Sequence, residues 1–198
     1  MIIGITGGSG SGKTTLLQLI ARQGGVIFDC DAIYHELLKS DPSLLASVSR
    51  RFPGTVTNGV LNRKKLGEIV FSQEQALLDL NEITHAAVKN RVIQLLESKP
   101  SLAAIDAIGL FEGALDSICD VTVAIIAPAQ VRIARIMARD GISEEYAKQR
   151  IAAQHSDDWF AAHCDAVLEN TGTEEEFTAK CLAFLDKLGI IKEKAKGE

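Results

Sequence analysis

The sequence predicts an α/β fold in which helices cover both faces of a parallel five-stranded sheet. Short apolar runs alternate with helical patterns along the chain, and this alternation is typical of strands in a parallel sheet. A glycine-rich segment separates the first apolar run from the first helical pattern, which indicates an anion-binding loop. The helical stretch between the second and third runs is too long for a simple crossover, so we also expect an inserted helical lobe.

Five apolar runs rich in β-branched residues predict the strands, at residues 1–6, 26–28, 102–108, 121–126 and 166–168. Helical patterns predict helices at 13–23, over most of 32–98, and at 128–139, 143–154 and 173–188. Pro53-Gly54 and Asn58-Gly59 break the long stretch as turns. We expect a single domain over residues 1–198, with the inserted lobe at about 40–98, a short helical lid at about 139–160 and a solvated tail at 192–198.

The composition is that of a soluble globular protein, with 46% apolar and 24% charged residues. Lys and Arg number 21 against 26 Asp and Glu, a formal net charge of -5, so we expect no general nucleic-acid surface. No apolar run approaches the ~18 residues that cross a bilayer, the N-terminus lacks a secretion signal, and the four cysteines form no CxxC pair. These observations predict a reduced cytoplasmic protein without a membrane partner, either a monomer or a weak homo-oligomer.

Residues 7–14, GGSGSGKT, fit the phosphate-binding pattern GxxxxGK[ST]. The glycines let backbone N–H groups wrap an anion, and the following helix presents its positive N-terminal end. Lys13 can reach the β- and γ-phosphates, and the Thr14 hydroxyl can ligate Mg²⁺. The pattern therefore predicts a site for a nucleoside triphosphate and Mg²⁺. The candidate nucleotide-binding residues in this segment are Gly8, Gly10, Ser11, Gly12, Lys13, Thr14 and Thr15.

The chain lacks the NKxD motif of guanine-specific GTPases and the LSGGQ signature of transporter ATPases, which favours a kinase. A kinase requires a base beside its acceptor hydroxyl. Asp29 and Asp31 follow the second predicted strand, and ligands of open α/β sheets bind outside the carboxyl ends of the strands. Asp31 is the stronger candidate for the base; the alternative is that Asp31 caps the helix that follows.

Asp106 ends the apolar run at 102–105 within the third predicted strand, where a Walker-B carboxylate would hold Mg²⁺ through water. The alternative is a strand-end carboxylate bound to nearby backbone. Arg132, Arg135 and Arg139 recur at i, i+3 and i+7, so they share one face of a predicted helix. We expect Arg132 on a solvated face. Arg135 and Arg139 are expected to contact phosphate, whose oxygens match the guanidinium fork, and Arg150 lies on the next predicted helix.

The inserted lobe carries the basic cluster Arg63-Lys64-Lys65. This cluster either meets a phosphorylated acceptor or extends into solvent from an amphipathic helix. His85, in the same lobe, is either structural or a ligand contact. Near the C-terminal end, His155, His163 and Cys164 have a spacing that matches no common metal site, so we expect no metal there.

Taken in order, these motifs resemble the dephospho-coenzyme A kinase family over almost the full length. The matching segments are GITGGSGSGKTT at 4–15, DCDAIYHELL at 29–38, LNRKKLGEIVF at 61–71, LNEITH at 80–85, IDAIGLFE at 105–112, RIMARDGISEEYAKQRIAAQ at 135–154 and CDAVLENTG at 164–172. The resemblance implies transfer of the ATP γ-phosphoryl group to the ribose 3′-hydroxyl of dephospho-CoA, the last step of coenzyme A biosynthesis. It implies Lys13, Asp31 and Arg139 as catalytic residues and a lid carrying Arg135, Arg139 and Arg150. On the acceptor side it implies Asp31, Arg63, Lys64, His85 and Glu112.

The chain departs from this family at a few positions. Ile108-Gly109-Leu110 stands where Pro-Leu-Leu is common, Ala86 follows His85 where Pro is common, and Phe160 and His163 replace basic residues. Two alternatives stay open: a P-loop kinase of another nucleoside or nucleotide, and a switch that binds ATP without an acceptor. The D-x-D segment at 29–31 argues against a switch, because a switch needs no base for an acceptor hydroxyl.

Overall fold

The structure, a computed structural model, describes residues 1–191; the tail at 192–198, and the prediction made for it, lie outside the described residues. The described chain divides into two compact units. The first contains Met1–Ile27, Pro100–Leu110 and the chain from Asp116 onward, and the second contains Phe28–Lys99 and Phe111–Leu115. The second unit is therefore built from two separate segments of the sequence.

Seven strands form within the described residues. They are β1 (Ile2–Thr6), β2 (Val26–Asp29), β3 (Val56–Thr57), β4 (Val60–Leu61), β5 (Ala103–Asp106), β6 (Val121–Ile126) and β7 (Ala166–Glu169). Five of them form one sheet in the order β2-β5-β1-β6-β7. Strand β1 pairs in parallel with β5 and β6, and β6 pairs in parallel with β7. The prediction of a mostly parallel five-stranded sheet is confirmed.

Nine α-helices flank these strands between residues 1 and 191. They are α1 (Lys13–Arg22), α2 (Cys30–Ser40), α3 (Pro42–Arg51), α4 (Arg63–Val70), α5 (Glu74–Leu96), α6 (Ala129–Asp140), α7 (Glu144–Ala152), α8 (Asp157–His163) and α9 (Glu174–Lys187). The predicted α/β fold class is confirmed, although α8 was not predicted. In the part of the chain that the structure describes, none of these helices is both long and apolar enough to cross a membrane.

The hairpin of β3 and β4 in the second unit was also not predicted. Asn58-Gly59, expected only as a turn, joins two strands of two residues each. Both turn residues have positive φ angles, 52° at Asn58 and 75° at Gly59. Such a pair favours the two-residue hairpin turn whose twist matches that of the strands. Strands this short carry too little alternation of apolar and polar residues to be recognised in a sequence.

The core of the first unit fixes α1 against the sheet. Ile3 and Ile5 of β1 are fully buried, as are Leu16 and Ile20 of α1, and all four belong to one apolar cluster with side chains of β6 and α9. Burying an aliphatic side chain of this size contributes roughly 1.5–3 kcal/mol. The end of β1 and the start of α1 are therefore held together on both sides of the glycine-rich segment.

Asp165 ties the start of β7 to β6. Its Oδ2 accepts hydrogen bonds from the Thr122 hydroxyl at 2.7 Å and the Thr122 amide at 2.8 Å, and these bonds hold the pKa of the Asp165 carboxyl below its usual range. Because the folded-state pKa is depressed, the stabilisation is complete above the unfolded value of about 3.9. It is lost as the pH falls through the folded-state pKa.

We expect Asp165→Asn to lower the free energy of unfolding by about 1 kcal/mol at pH 7, after allowing for solvent screening of an exposed carboxylate. Chemical denaturation at pH 7 and at pH 3 measures the difference, which should shrink at the lower pH. Asp186→Asn, on the exposed side of α9, is the matched control and should show no comparable change at pH 7. A difference of the same size at both pH values would contradict this assignment.

Candidate active site

The glycine-rich segment forms a loop, Gly7–Gly12, between the end of β1 and the start of α1. Its φ angle is 128° at Gly7, 77° at Gly10 and 105° at Gly12, values that a residue with a side chain adopts only with strain. A Cβ on Gly7 would also lie 2.1 Å from the Ile125 carbonyl oxygen of β6. Glycine therefore permits both the turns of this loop and its close packing on the sheet.

Lys13 begins α1 and extends back across the loop. Its Nζ donates to the Gly7 carbonyl at 3.2 Å and lies 3.6 Å from Asp106 Oδ1. Asp106 ends β5, in register with Ile5 of the neighbouring β1. Thr14, next along α1, is exposed. The structure thus brings together the lysine and the strand-end carboxylate that the sequence singled out.

The burial of Arg132 on α6 shows that the prediction made for this residue was wrong. Expected on a solvated face, its side chain is buried beneath the loop, with 4% of the residue exposed. Its Nε donates to the Ser9 carbonyl at 3.0 Å, its Nη2 donates to Gln154 Oε1 at 2.8 Å, and its Nη1 lies 3.5 Å from Asp157 Oδ1. Burial lowers the pKa of Arg132, and the charge of Asp157 opposes that shift. Helical spacing alone could not show that the loop covers this part of α6.

Two further side chains donate to carbonyl oxygens of the loop. Asn170, which follows β7 and was not predicted, is buried, and its Nδ2 donates to the Ser11 carbonyl at 2.8 Å. A Cβ on Gly12 would lie only 2.3 Å from this Nδ2. Arg135, predicted as a phosphate contact, places Nη1 at 3.2 Å from the Gly10 carbonyl and 3.3 Å from that of Ser11. Side chains from two elements therefore hold the second half of the loop.

Arg139 and Arg150 meet at a single carboxylate. Asp140 accepts two hydrogen bonds from Arg139, at 2.6 and 2.9 Å, and one from Arg150 at 2.7 Å. These bonds from Arg139, together with the charges of both arginines, lower the pKa of the Asp140 carboxyl to about 2. The last turns of α6 and α7 are joined in this way, and the predicted lid arginines Arg139 and Arg150 bind the same carboxylate.

The two aspartates after β2 have different positions. Asp29 is the N-cap of α2, and its Oδ1 accepts a hydrogen bond from the Ala32 amide at 2.9 Å. Asp31 lies in the first turn of α2 and is exposed. The alternative in which Asp31 caps this helix is therefore wrong, because Asp29 makes the capping bond.

The remaining predicted acceptor residues belong to the second unit. Arg63 begins α4 and lines a cavity of about 330 Å³. Burial raises the pKa of Tyr34 on α2, and the charge of Arg63 partly opposes this shift, so the two side chains are neighbours. Lys64 is exposed on α4, His85 is half-buried on α5, and Glu112 is exposed in the segment Phe111–Leu115. The structure places all four candidates in one unit.

The histidines near the C-terminal end form a ring stack. His155 and His163 lie parallel to Trp159, with ring centroids 3.7 and 3.9 Å away, and Phe160 is fully buried. Phe160 and His163, which stand where the family commonly has basic residues, therefore pack within the first unit. Across residues 1–191, no group of three His, Cys, Asp or Glu side chains is placed to hold a metal ion.

The loop geometry is that of a P-loop, and comparison with known proteins identifies the family. A sequence model of the family described as dephospho-CoA kinase matches residues 1–176. The chain belongs to the dephospho-CoA kinase family. The resemblance drawn from the ordered motifs is confirmed, and the chain is a P-loop kinase, a transferase of coenzyme A biosynthesis.

Individual proteins are similar to this chain over most of its length. The dephospho-CoA kinase of Syntrophotalea carbinolica is 32% identical over 194 residues, which cover 95% of this chain and 92% of that protein. A crystal structure of a protein from Thermus thermophilus matches at 32% identity and a TM-score of 0.79, covering 95% of this chain and 97% of the other. Dephospho-CoA kinase from Campylobacter jejuni matches at 25% identity and a TM-score of 0.66, covering 94% and 96%. The family similarity therefore includes residues of both units.

Proposed function

We propose that this kinase transfers the γ-phosphoryl group of ATP to the ribose 3′-hydroxyl of dephospho-CoA, with Asp31 as the base. The observation that carries the proposal is the P-loop, in which Lys13 lies between the Gly7 carbonyl and Asp106 in a chain of the dephospho-CoA kinase family. Enzymes catalyse phosphoryl transfer almost entirely by positioning the reactants and stabilising charge. Apart from the base, each charged side chain of the site would perform one of these two tasks.

Lys13 would neutralise the charge that develops on the β- and γ-phosphates. Its four-carbon stem is oriented in advance, since Nζ already contacts Gly7 and Asp106. Immobilising a free lysine side chain costs up to about 1.5–2 kcal/mol, and most of this cost is met when the protein folds. Nucleotide binding therefore requires little further ordering of this residue.

Thr14 and Asp106 fit a Mg²⁺ ion. A hydroxyl and a carboxylate are the hard oxygen donors that Mg²⁺ prefers; Thr14 is exposed, and the Asp106 side chain is 23% exposed beside Lys13. Thr14 would ligate the ion directly and Asp106 through water. When bound, Mg²⁺ supplies charge neutralisation at the β- and γ-phosphate oxygens.

On nucleotide binding, the lid arginines Arg139 and Arg150 would release the Asp140 carboxylate and bind phosphate oxygens instead. Arg139 and Arg150 bind Asp140 at the surface, and an exposed ion pair of this kind contributes only about 0–1 kcal/mol. A polyphosphate carries more charge and offers more acceptor oxygens than one carboxylate, so it can replace Asp140 as their partner. Arg139 would then stabilise the transferring phosphoryl group, with Arg150 and Arg135 on the neighbouring phosphate oxygens.

On the acceptor side, the Asp31 carboxylate would take the proton of the 3′-hydroxyl while that oxygen bonds to the γ-phosphorus and the bond to the departing ADP oxygen breaks. The exposure of Asp31 leaves it accessible to an acceptor. Arg63 and Lys64 would bind the acceptor's phosphates, and the cavity beside Arg63 supports a ligand site there. His85 and Glu112 would contact the same molecule.

A substrate panel tests this function. ADP release is measured with ATP and Mg²⁺ alone and after adding dephospho-CoA, adenosine, other nucleosides or nucleoside monophosphates. We expect strong stimulation by dephospho-CoA, with phosphate appearing on its 3′-oxygen. Stimulation by another nucleoside or nucleotide instead would favour the rival kinase, and ADP release independent of every acceptor would favour a switch; either result would overturn the proposal.

A further inference from the structure

Ser9 of the P-loop is held by the side chains of Gln154 and Arg132. The residue is buried, and all three of its polar atoms are bonded. Its amide donates to Gln154 Oε1 at 2.9 Å, its hydroxyl accepts from Gln154 Nε2 at 2.8 Å, and its carbonyl accepts from Arg132 Nε at 3.0 Å. The single N–H of the Ser9 amide is therefore occupied by Gln154, and the bonds of the amide and the hydroxyl to this side chain set the path of the loop.

Arg132 also fixes the orientation of the Gln154 amide. Gln154 Oε1 accepts from both the Ser9 amide and Arg132 Nη2. A reversed amide would place its NH₂ group against these two donors, which cannot accept a hydrogen bond. Both side chains also pack closely against the loop, since a Cβ on Gly8 would lie 1.9 Å from Arg132 Nη2 and 2.9 Å from Gln154 Oε1.

Gln154 connects this arrangement to the helix that carries a lid arginine. It lies two residues beyond the end of α7, and its own amide donates to the Ile151 carbonyl at 3.1 Å. Arg150 lies four residues before it, in the last turn of α7. A displacement of α7 that moves Gln154 therefore breaks two hydrogen bonds to Ser9, so the placement of α7 and the shape of the loop are linked.

We propose that Gln154 is a positioning residue for nucleotide binding: with Arg132, it fixes the P-loop through Ser9 and makes the binding-competent loop depend on the placement of α7. This inference rests on the proposed binding of ATP at the loop. It requires no contact between Gln154 and the nucleotide. Loss of Gln154 should therefore weaken ATP binding while leaving the affinity for the acceptor nearly unchanged.

The test is Gln154→Met in the full chain, which keeps the length of the side chain and removes its polar atoms. Calorimetric titration with ATP and Mg²⁺, without acceptor, measures the dissociation constant. Because two bonds to Ser9 and one to Arg132 are lost, we expect the constant to rise about 10- to 100-fold. In steady-state assays, the KM for ATP should rise by a similar factor, while the KM for dephospho-CoA and kcat change less than threefold.

Gln149→Met, on the exposed surface of α7, is the matched control and should bind ATP like the wild type. Equal weakening in the control, an unchanged dissociation constant in Gln154→Met, or equal changes in the two KM values would overturn the inference. Should Gln154→Met fail to fold, Ser9→Ala, which removes one bond of the same set, must still raise the constant two- to fivefold, and no change would refute the proposal. If the wild-type chain itself does not bind ATP, the proposed function fails instead, and the two failures are distinguishable.

Discussion

Replacing Asp31 by Asn is expected to lower kcat by ~10²–10⁴ with little change in the KM for ATP. The amide keeps the size of the side chain and its position in the first turn of α2, but it cannot take the proton of an attacking hydroxyl. Since Asp29, not Asp31, caps α2, the substitution should not disturb the start of the helix. The measurement is the steady-state rate of 3′-phosphorylation at saturating ATP and dephospho-CoA.

Asp29→Asn is the matched control for this experiment. Asn is as good an N-cap as Asp, so this variant should keep both the helix and a rate within about threefold of the wild type. The two variants differ only in which of two neighbouring carboxylates becomes an amide. A near-normal kcat in Asp31→Asn would show that Asp31 is not the base, and an equal loss in both variants would indicate a general disturbance of α2.

Lys13→Met should lower kcat/KM for ATP by about 10²–10³, the usual cost of removing one preorganised group that stabilises developing charge. Methionine retains an unbranched apolar stem but loses the ammonium that lies 3.6 Å from Asp106. Both ATP binding and the chemical step should suffer, because the same charge meets the phosphates before and during transfer. Initial rates over a range of ATP concentrations separate the two contributions.

Lys187→Met, on the exposed side of α9, carries the same substitution away from the loop and should leave these rates unchanged. A thermal unfolding scan of each variant guards against a trivial loss of folded protein. If Lys13→Met kept kcat/KM within tenfold of the wild type, Lys13 would not be the residue that neutralises the transferred phosphoryl group.

The parts of the fold that local patterns specify were predictable. Apolar β-branched runs locate the strands of the central sheet, and the spacing of the glycines relative to Lys13 is enough to define the P-loop. The seven-residue helix α8 and the two-residue strands β3 and β4 escaped prediction, because such short elements carry too few residues to display a period.

The residues that support the loop were less predictable, since their roles depend on contacts between distant segments. Arg132 shares a helix face with Arg135 and Arg139, and that pattern gives no sign that Ser9 covers it. Gln154 lies 145 residues from the Ser9 to which it bonds. Asn170 did carry a signal: it is a polar residue just beyond the carboxyl end of a strand, as are the aspartates that were singled out.

The ion pairs of Arg139 and Arg150 with Asp140 determine which conditions release the two arginines. With a pKa of about 2, the carboxyl stays ionised throughout the near-neutral range, so mild acidification cannot release Arg139 or Arg150 by protonating their partner. A competing anion such as a polyphosphate, in contrast, can take the place of this carboxylate. We therefore expect the binding of a phosphate-bearing ligand, and not an ordinary change in pH, to control whether Arg139 and Arg150 are paired with Asp140.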